Sequence, residues 1–460
     1  MFRGKVRTIY FVGIGGIGMS GIAEVLLNLG FQVTGSDLKA GEAVERLRQM
    51  GAVVHIGHSG DNLGDADVVV RSTAVGEENV EVATAIRRGI PVIRRAEMLA
   101  ELMRLKYGIA VGGTHGKTTT TSMLAACVAA GGLDPTVVIG GRLDSMGGSN
   151  AKLGSGDYLV AEADESDGTF LLLSPTVSVI TNIDPEHMDH YQSVAELEAT
   201  FLEFANRVPF YGFTVMCLDH PVVQRLIPQV RRRVVTYGFA RHADYRAEDV
   251  VYDGLTTTFT AWRRDERLGT ISLGMPGRHN VSNAVAAIAA SMELSIPFDK
   301  LVGALSGFTG VQRRFTVRSE TRGVLIVDDY GHHPVEIEAT LAAASNAFPE
   351  RRLIAVFQPH RFSRVQHLWD GFCGAFHRAH KVVVCPVYAA GEAPLDGVDH
   401  HRLADEMLRR GHRGVHEVAD LDGATALLAG MAQPGDLVVT LGAGNVNSVC
   451  GALAKALEAR

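Results

Sequence analysis

Cysteine is sparse in this 460-residue chain and carries no pattern: Cys127, Cys217, Cys373, Cys385 and Cys450 are scattered without CxxC spacing. That scatter excludes a disulfide framework and a zinc knuckle, and it fits a reducing cytoplasm. An excess of basic charge is missing too. The formal net charge is -7 and the arginine clusters are as short as Arg231 to Arg233, so no face is marked out for a nucleic-acid backbone. A secretory leader is only imitated. Arg3, Lys5 and Arg7 precede an uncharged run from Thr8 to Ala23, but the glycines in that run divide it into strand, turn and helix. The sequence therefore predicts a cytoplasmic protein without nucleic-acid or membrane partners.

Glycine, by contrast, is abundant. With 51 Gly, 46% hydrophobic and 21% charged residues, the composition is that of a globular α/β protein with many tight turns. At about 100 to 200 residues per domain, the length implies more than one core. The order strand, glycine loop, helix begins at Ile9 to Leu29 and recurs at GIAVGGTHGKTTTTSMLAACVAA and VLIVDDYGHHPVEIEATLAAA. We therefore expect three α/β domains with mostly parallel sheets, over 1–106, 107–314 and 315–460. Thr236 to Leu273 is expected to be a more antiparallel, β-rich excursion. GRHNVSNAVAAIAAS should open a long Ala-rich helix, with Asn280 or Ser282 available as its cap.

The loops between these elements carry the chemistry. GGTHGKT, comprising Gly112, Gly113, Thr114, His115, Gly116, Lys117 and Thr118, ends in Gly-Lys-Thr at a helix start, where backbone N–H groups and the positive helix end suit phosphate oxygens. Lys117 would meet the outer phosphates and Thr118 would ligate Mg²⁺. The first glycine of the standard loop is replaced by Val111, so this loop is one residue shorter. The earlier turn has Gly13, Gly15, Gly16 and Gly18, with Asp37 placed where an acid holds a ribose hydroxyl; close-packed structural glycines are the alternative. AEADESD holds Glu162, Asp164, Glu165 and Asp167, oxygen donors of the kind that Mg²⁺ prefers. TNIDPEHMDHY adds Asp184, Glu186, His187, Asp189 and His190; zinc is the rival there, although HExxH is absent. DDYGHHP and QPHRFSR each follow an apolar strand and suit a ribose, a carboxylate or developing phosphate charge.

In this order, GTHGKTTT, EADESD, TNIDPEHMDHY, GRHNVSNA, DDYGHHP and QPHRFSR resemble the Mur ligase family, which attaches amino acids to the peptidoglycan precursor. The likeness is greatest to its alanine-adding branch. It implies an N-terminal Rossmann-like domain holding the UDP-sugar, a central P-loop ATPase-type domain and a C-terminal Rossmann-like domain, with ATP and Mg²⁺ as cofactors and UDP-N-acetylmuramate and L-alanine as substrates. The lactyl carboxylate would be activated as an acyl phosphate by a monomer or weak homodimer. By the same resemblance, Lys117, His187, Arg314, His332 and Arg364 are catalytic, and Thr118, Glu162 and His187 hold the metal, with Glu165 a competitor. His279, Asn280, Asn283, Arg314, Asp329 and Tyr330 join the phosphate loop around ATP. Gly13, Gly15, Gly16, Gly18, Asp37, Ser72, Thr73, His360 and Arg361 serve the UDP-sugar. Several family members use a carbamylated lysine after the HMDHY motif. This chain has no lysine between Lys152 and Lys300, a lack shared by the alanine-adding branch. The close alternative is a recycling ligase that adds a tripeptide to the same UDP-sugar.

Overall fold

The computed structural model describes residues 6–72, 74–140, 150–188 and 190–460. Its first sheet contains β1 (Thr8–Val12), β2 (Gln32–Asp37), β3 (Val53–Ile56), β4 (Val68–Arg71) and β5 (Val92–Arg94), ordered β3-β2-β1-β4-β5. All its pairings are parallel. Strand β1 is apolar on both faces because both are covered: Ile9 and Phe11 join one core, Tyr10 and Val12 another. The strand order reverses at β1, between β2 and β4, and the first glycine loop leaves β1 at this switch point.

The second sheet contains β6 (Tyr107–Gly112), β7 (Thr136–Val138), β8 (Ala151–Lys152), β9 (Tyr158–Glu162), β10 (Val177–Ile180), β11 (Phe213–Cys217), β12 (Arg233–Gly238), β13 (Tyr245–Asp253), β14 (Thr256–Arg263) and β15 (Glu266–Leu273). Its order is β15-β14-β13-β12-β11-β10-β6-β9-β7-β8, and β6 lies parallel between β10 and β9. GGTHGKT, AEADESD and TNID therefore leave three adjacent parallel strands at their same, C-terminal ends. The helix Arg95–Met103 and the helix Ile17–Asn28 share a core with Ala151, Leu159 and Phe170, so the first and second sheets are packed together.

The third sheet contains β16 (Thr316–Thr321), β17 (Val324–Asp329), β18 (Arg352–Phe357), β19 (Lys381–Val384), β20 (Val415–Glu417) and β21 (Asp436–Leu441), ordered β16-β17-β21-β18-β19-β20. Only β16 pairs antiparallel here among the described residues. By compactness the chain divides into two units, 1–248 with 260–271 and 282–309, and 249–259 with 272–281 and 310–460.

One local expectation is corrected. The helix that was to be capped by Asn280 or Ser282 already begins at Arg278 and runs to Glu293, so both residues lie inside it. The Asn280 amide donates back to the Pro276 carbonyl at 2.7 Å, a bond that ties the first turn down without a cap at Asn280. Among the described residues, no helix is long and apolar enough to cross a membrane.

Candidate functional site

The phosphate-sized loop begins where β6 ends. Gly113 has φ +132°, and a Cβ there would lie 2.0 Å from the Thr181 hydroxyl, so only glycine fits. Gly116, at φ +81°, immediately precedes the helix Lys117–Ala130, and a Cβ on it would meet the Asn283 side-chain oxygen at 2.7 Å. Asn283 is therefore seated against the loop. Val111, which stands where the standard loop starts with glycine, is a fully buried strand residue. The shorter loop is compensated by bracing from the neighbouring strand end. Thr114 N–H donates to the Asn182 carbonyl (3.0 Å), and His115 N–H donates to the Asn182 side-chain oxygen (2.7 Å). The Asn182 amide and the Thr181 hydroxyl both donate to the His115 carbonyl, at 2.9 and 2.7 Å. The Asp184 N–H donates to the Thr114 hydroxyl at 2.9 Å, and the Asp184 carboxylate lies near the rings of His115 (3.5 Å) and His220 (3.3 Å). The first residues of TNIDPEHMDHY thus shape the phosphate loop. Thr181 and Asn182 were not singled out from sequence, because nothing local marks a strand-end polar residue as the brace for a loop about 70 positions away.

Lys117 Nζ donates to the carbonyls of Gly113 (2.6 Å) and Thr114 (3.1 Å) and to Glu165. Both Glu165 carboxylate oxygens lie 2.8 Å from it. Burial works against the Lys117 ammonium, but Glu165, Asp164 and Glu162 outweigh it and raise the lysine's pKa. Burial also pushes the Glu165 carboxyl up, to about 7, while Lys117 pulls it down. The two-pronged geometry is that of an ion pair. Tyr191 Oη donates to the Glu165 backbone carbonyl at 2.5 Å, and His187 Nε2 lies 3.9 Å from Oε1. Thr118 Oγ1 donates to Glu162 at 2.9 Å, and Gly140 N–H donates to the same oxygen.

A hydroxyl and a carboxylate in contact at the head of a phosphate loop suit a hard divalent cation that takes its remaining oxygens from phosphate and water. Among the described residues, no group of three His, Cys, Asp or Glu side chains forms a metal cage by itself. Of the residues expected to hold a metal, Thr118 and Glu162 are thus brought together, and His187 lies beside Glu165. Asp189 lies outside the described residues.

The first glycine loop is held differently. Gly13 has φ +79°; its N–H and that of Ile14 donate to the Ser36 carbonyl at 2.9 and 3.0 Å. Gly15 N–H donates to Asp37 Oδ2 at 2.8 Å, so the acid expected to hold a ribose also clasps the loop. Gly16 is the N-cap of the helix Ile17–Asn28, and a Cβ on Gly18 would strike the Arg95 guanidinium at 2.9 Å. Ser72 lies against Gly13, where a Cβ on the glycine would be 3.5 Å from its own. Thr73 lies outside the described residues. Behind the loop, the fully buried Glu81 accepts from the Ser36 hydroxyl (2.5 Å), the Tyr10 hydroxyl (2.8 Å) and the Asn62 amide (2.9 Å).

In the unit containing the third sheet, DDYGHHP and QPHRFSR leave β17 and β18 on either side of β21. The rings of His332 and His360 are 6.0 Å apart, His360 stacks on Tyr388 at 5.4 Å, and Tyr330 meets His332 edge-on at 5.2 Å. Arg313 and Arg314 lie over Tyr330 at 5.0 and 5.3 Å, and Arg314 pairs with Glu336 at 3.6 Å. Arg364 Nη1 is 3.2 Å from His360 Nδ1, and Arg361 takes a left-handed φ of +68°. Burial, then His332, Arg364 and Arg361, pushes the His360 pKa down to about 4, which keeps its ring neutral. His279 is open to solvent at its surface, yet the surrounding protein and Arg314 lower its pKa to about 4. Asp329 has an anchoring role. Its oxygens accept from Phe315 N–H, Gly331 N–H and the Thr340 hydroxyl, so a ribose would compete for them.

Known proteins fit this arrangement. A UDP-N-acetylmuramate–L-alanine ligase of Syntrophotalea carbinolica is 58% identical over 99% of both chains. The chain belongs to the Mur ligase family. The family models described as Mur ligase family, catalytic domain, Mur ligase middle domain, and Mur ligase, glutamate ligase domain match residues 8–107, 111–291 and 313–444. A UDP-N-acetylmuramate–L-alanine ligase of Geobacter sulfurreducens is 54% identical over 99% of both chains. The crystal structure of the Thermotoga maritima UDP-N-acetylmuramate–alanine ligase superposes with a TM-score of 0.83 at 29% identity, covering 98% of this chain and 99% of that one. Three α/β domains with mostly parallel sheets are thus the family's architecture and this chain's.

Proposed function

We propose that this chain is an ATP-dependent ligase that joins L-alanine to the lactyl carboxylate of UDP-N-acetylmuramate in peptidoglycan precursor synthesis. The observation that carries the proposal is the head of the phosphate loop, with Lys117 at the mouth and Thr118 against Glu162, in a chain 58% identical to a ligase named for those substrates. A carboxylate acylates an amine only once it has a good leaving group. Its oxygen would attack the γ-phosphorus of ATP, releasing ADP and leaving an acyl phosphate. The uncharged amine of L-alanine would then attack the acyl carbon, forming the amide and expelling inorganic phosphate.

Bringing a carboxylate to a triphosphate is opposed by several kcal/mol of like-charge repulsion, on a rough Coulomb estimate. Lys117 supplies cationic charge at that point, and Gly113 and Gly116 let the backbone approach the phosphates. Thr118 and Glu162 would hold Mg²⁺, with His187 a further ligand; when bound, the ion offsets phosphate charge. Gly13, Gly15, Gly16, Gly18, Asp37 and Ser72 hold the UDP end. Arg361 and Arg364, beside the neutral His360, suit an anionic group of the substrates. We place the domain boundaries near 106 and 314.

The test is phosphate release from ATP with UDP-N-acetylmuramate present and candidate nucleophiles added one at a time. Stimulation by L-alanine is the expected result. Stimulation by a tripeptide alone would instead favour the recycling reading, whose named structural relatives share 24% and 27% identity with this chain.

A further inference from the structure

An ammonium has three hydrogen-bond donors, and Lys117 uses three acceptors: the carbonyls of Gly113 and Thr114, and Glu165. No donor is left for a phosphate. A nucleotide must therefore take one of these places. The two carbonyls belong to the loop itself, whose backbone is fixed by Asn182 and Thr181. Glu165 comes from a different segment, beyond β9, and it is the only one of the three acceptors that carries a full charge. An incoming phosphate would also repel it.

Glu165 is also built to stay close after release. It is 1% exposed, its backbone carbonyl is fixed by Tyr191 Oη at 2.5 Å, and His187 Nε2 lies 3.9 Å from Oε1. Its neighbour Asp164 pairs at 3.1 Å with Arg95, the residue whose guanidinium covers Gly18 of the first loop.

We propose that Glu165 is a built-in substitute for the outer phosphates: it occupies Lys117 in the nucleotide-free protein, and nucleotide binds by exchanging one anion for another on that lysine. The proposal rests on reading Gly112 to Thr118 as the nucleotide loop. Its consequence is a standing penalty on nucleotide affinity, because the apparent Kd rises as the fraction of molecules with a free lysine falls. The gain is a phosphate loop whose buried cation is never left without a counter-charge between turnovers.

The experiment measures binding of a fluorescent ADP to the full chain in EDTA, where metal ligation contributes nothing. Glu165→Gln should bind ADP at least about tenfold more tightly than wild type, and Glu165→Asp, which keeps the charge on a shorter arm, should gain less. Lys117→Met should weaken binding, and adding Glu165→Gln to it should restore nothing, since the gain acts through the lysine. Equal or weaker binding by both Glu165 variants, each folded as judged by its thermal melt and by UDP-sugar binding, overturns the proposal while the nucleotide-loop reading stands. If Glu165→Gln does not fold, Glu165→Asp decides alone: tighter binding supports the exchange, and unchanged or weaker binding ends it. Should Lys117→Met bind ADP as wild type does, the nucleotide-loop reading itself fails.

Discussion

The two glycine loops share a plan and differ in what is built around them. Each follows a buried parallel strand and leads into a helix, and each uses a left-handed glycine to turn the backbone. The loop after β1 is fastened from below by neutral and acidic groups, with the Ser36 carbonyl and Asp37 taking its N–H groups, and the cation beside Gly18, Arg95, comes from another element. The loop after β6 carries its own lysine, and the carboxylates of Glu162 and Glu165 face it from the adjacent strand end. Glycine gives both loops backbone room for a phosphate, whereas charge at the second loop suits it to phosphate transfer. In the proposed function the first would hold a substrate and the second would activate it.

The largest test of that division is Lys117→Met. Ligation and ATP consumption should fall by about a thousandfold or more, while calorimetry with UDP-N-acetylmuramate shows the first loop still binding. Removal of Mg²⁺ comes next. Chelation should weaken ATP binding by about a hundredfold, a loss of roughly 3 kcal/mol, and leave UDP-sugar affinity within error; an equal loss at both loops would erase the distinction.

Gly113→Ala should then cost about 3 kcal/mol or more, because the strained φ and the clash with Thr181 act together. A melting temperature unchanged from wild type would show that the loop gives way more easily than its bracing suggests. Asp37→Ala should cost roughly 1 kcal/mol from the lost Gly15 bond and weaken UDP-sugar binding by about tenfold, with ADP binding unaltered. Gly16→Ala should be the mildest. With an ordinary φ and 3.4 Å to its nearest neighbour, it should change stability by less than about 1 kcal/mol, read from denaturant unfolding.

Much of this was legible in the chain. Apolar runs such as Ile9 to Val12 and Val324 to Val327, each followed by a polar or glycine loop, predicted three successive α/β sheets because burial on both faces of a parallel strand is a local demand on sequence. The glycine turn after β6 was legible for the same kind of reason, since the positive φ of Gly113 and Gly116 and the helix start at Lys117 are set within a few neighbouring residues. The Asn280 or Ser282 cap was misread: a capping side chain is a plausible start signal, but the helix gained a further turn from backbone bonds to Gly277.

What the sequence by itself determined was each loop's repertoire: which residues could turn, donate, accept or carry charge. Strand order decided how those repertoires combine. Because β6 lies between β10 and β9, Thr181 and Asn182 arrive from one side to brace the loop, and Glu162 and Glu165 arrive from the other to meet Thr118 and Lys117. Linear spacing does not state which acid meets Thr118 and which meets Lys117. That choice depends on the register of β6 on β9, where Val111 faces Glu162 and places Glu165 three residues further along, at the lysine.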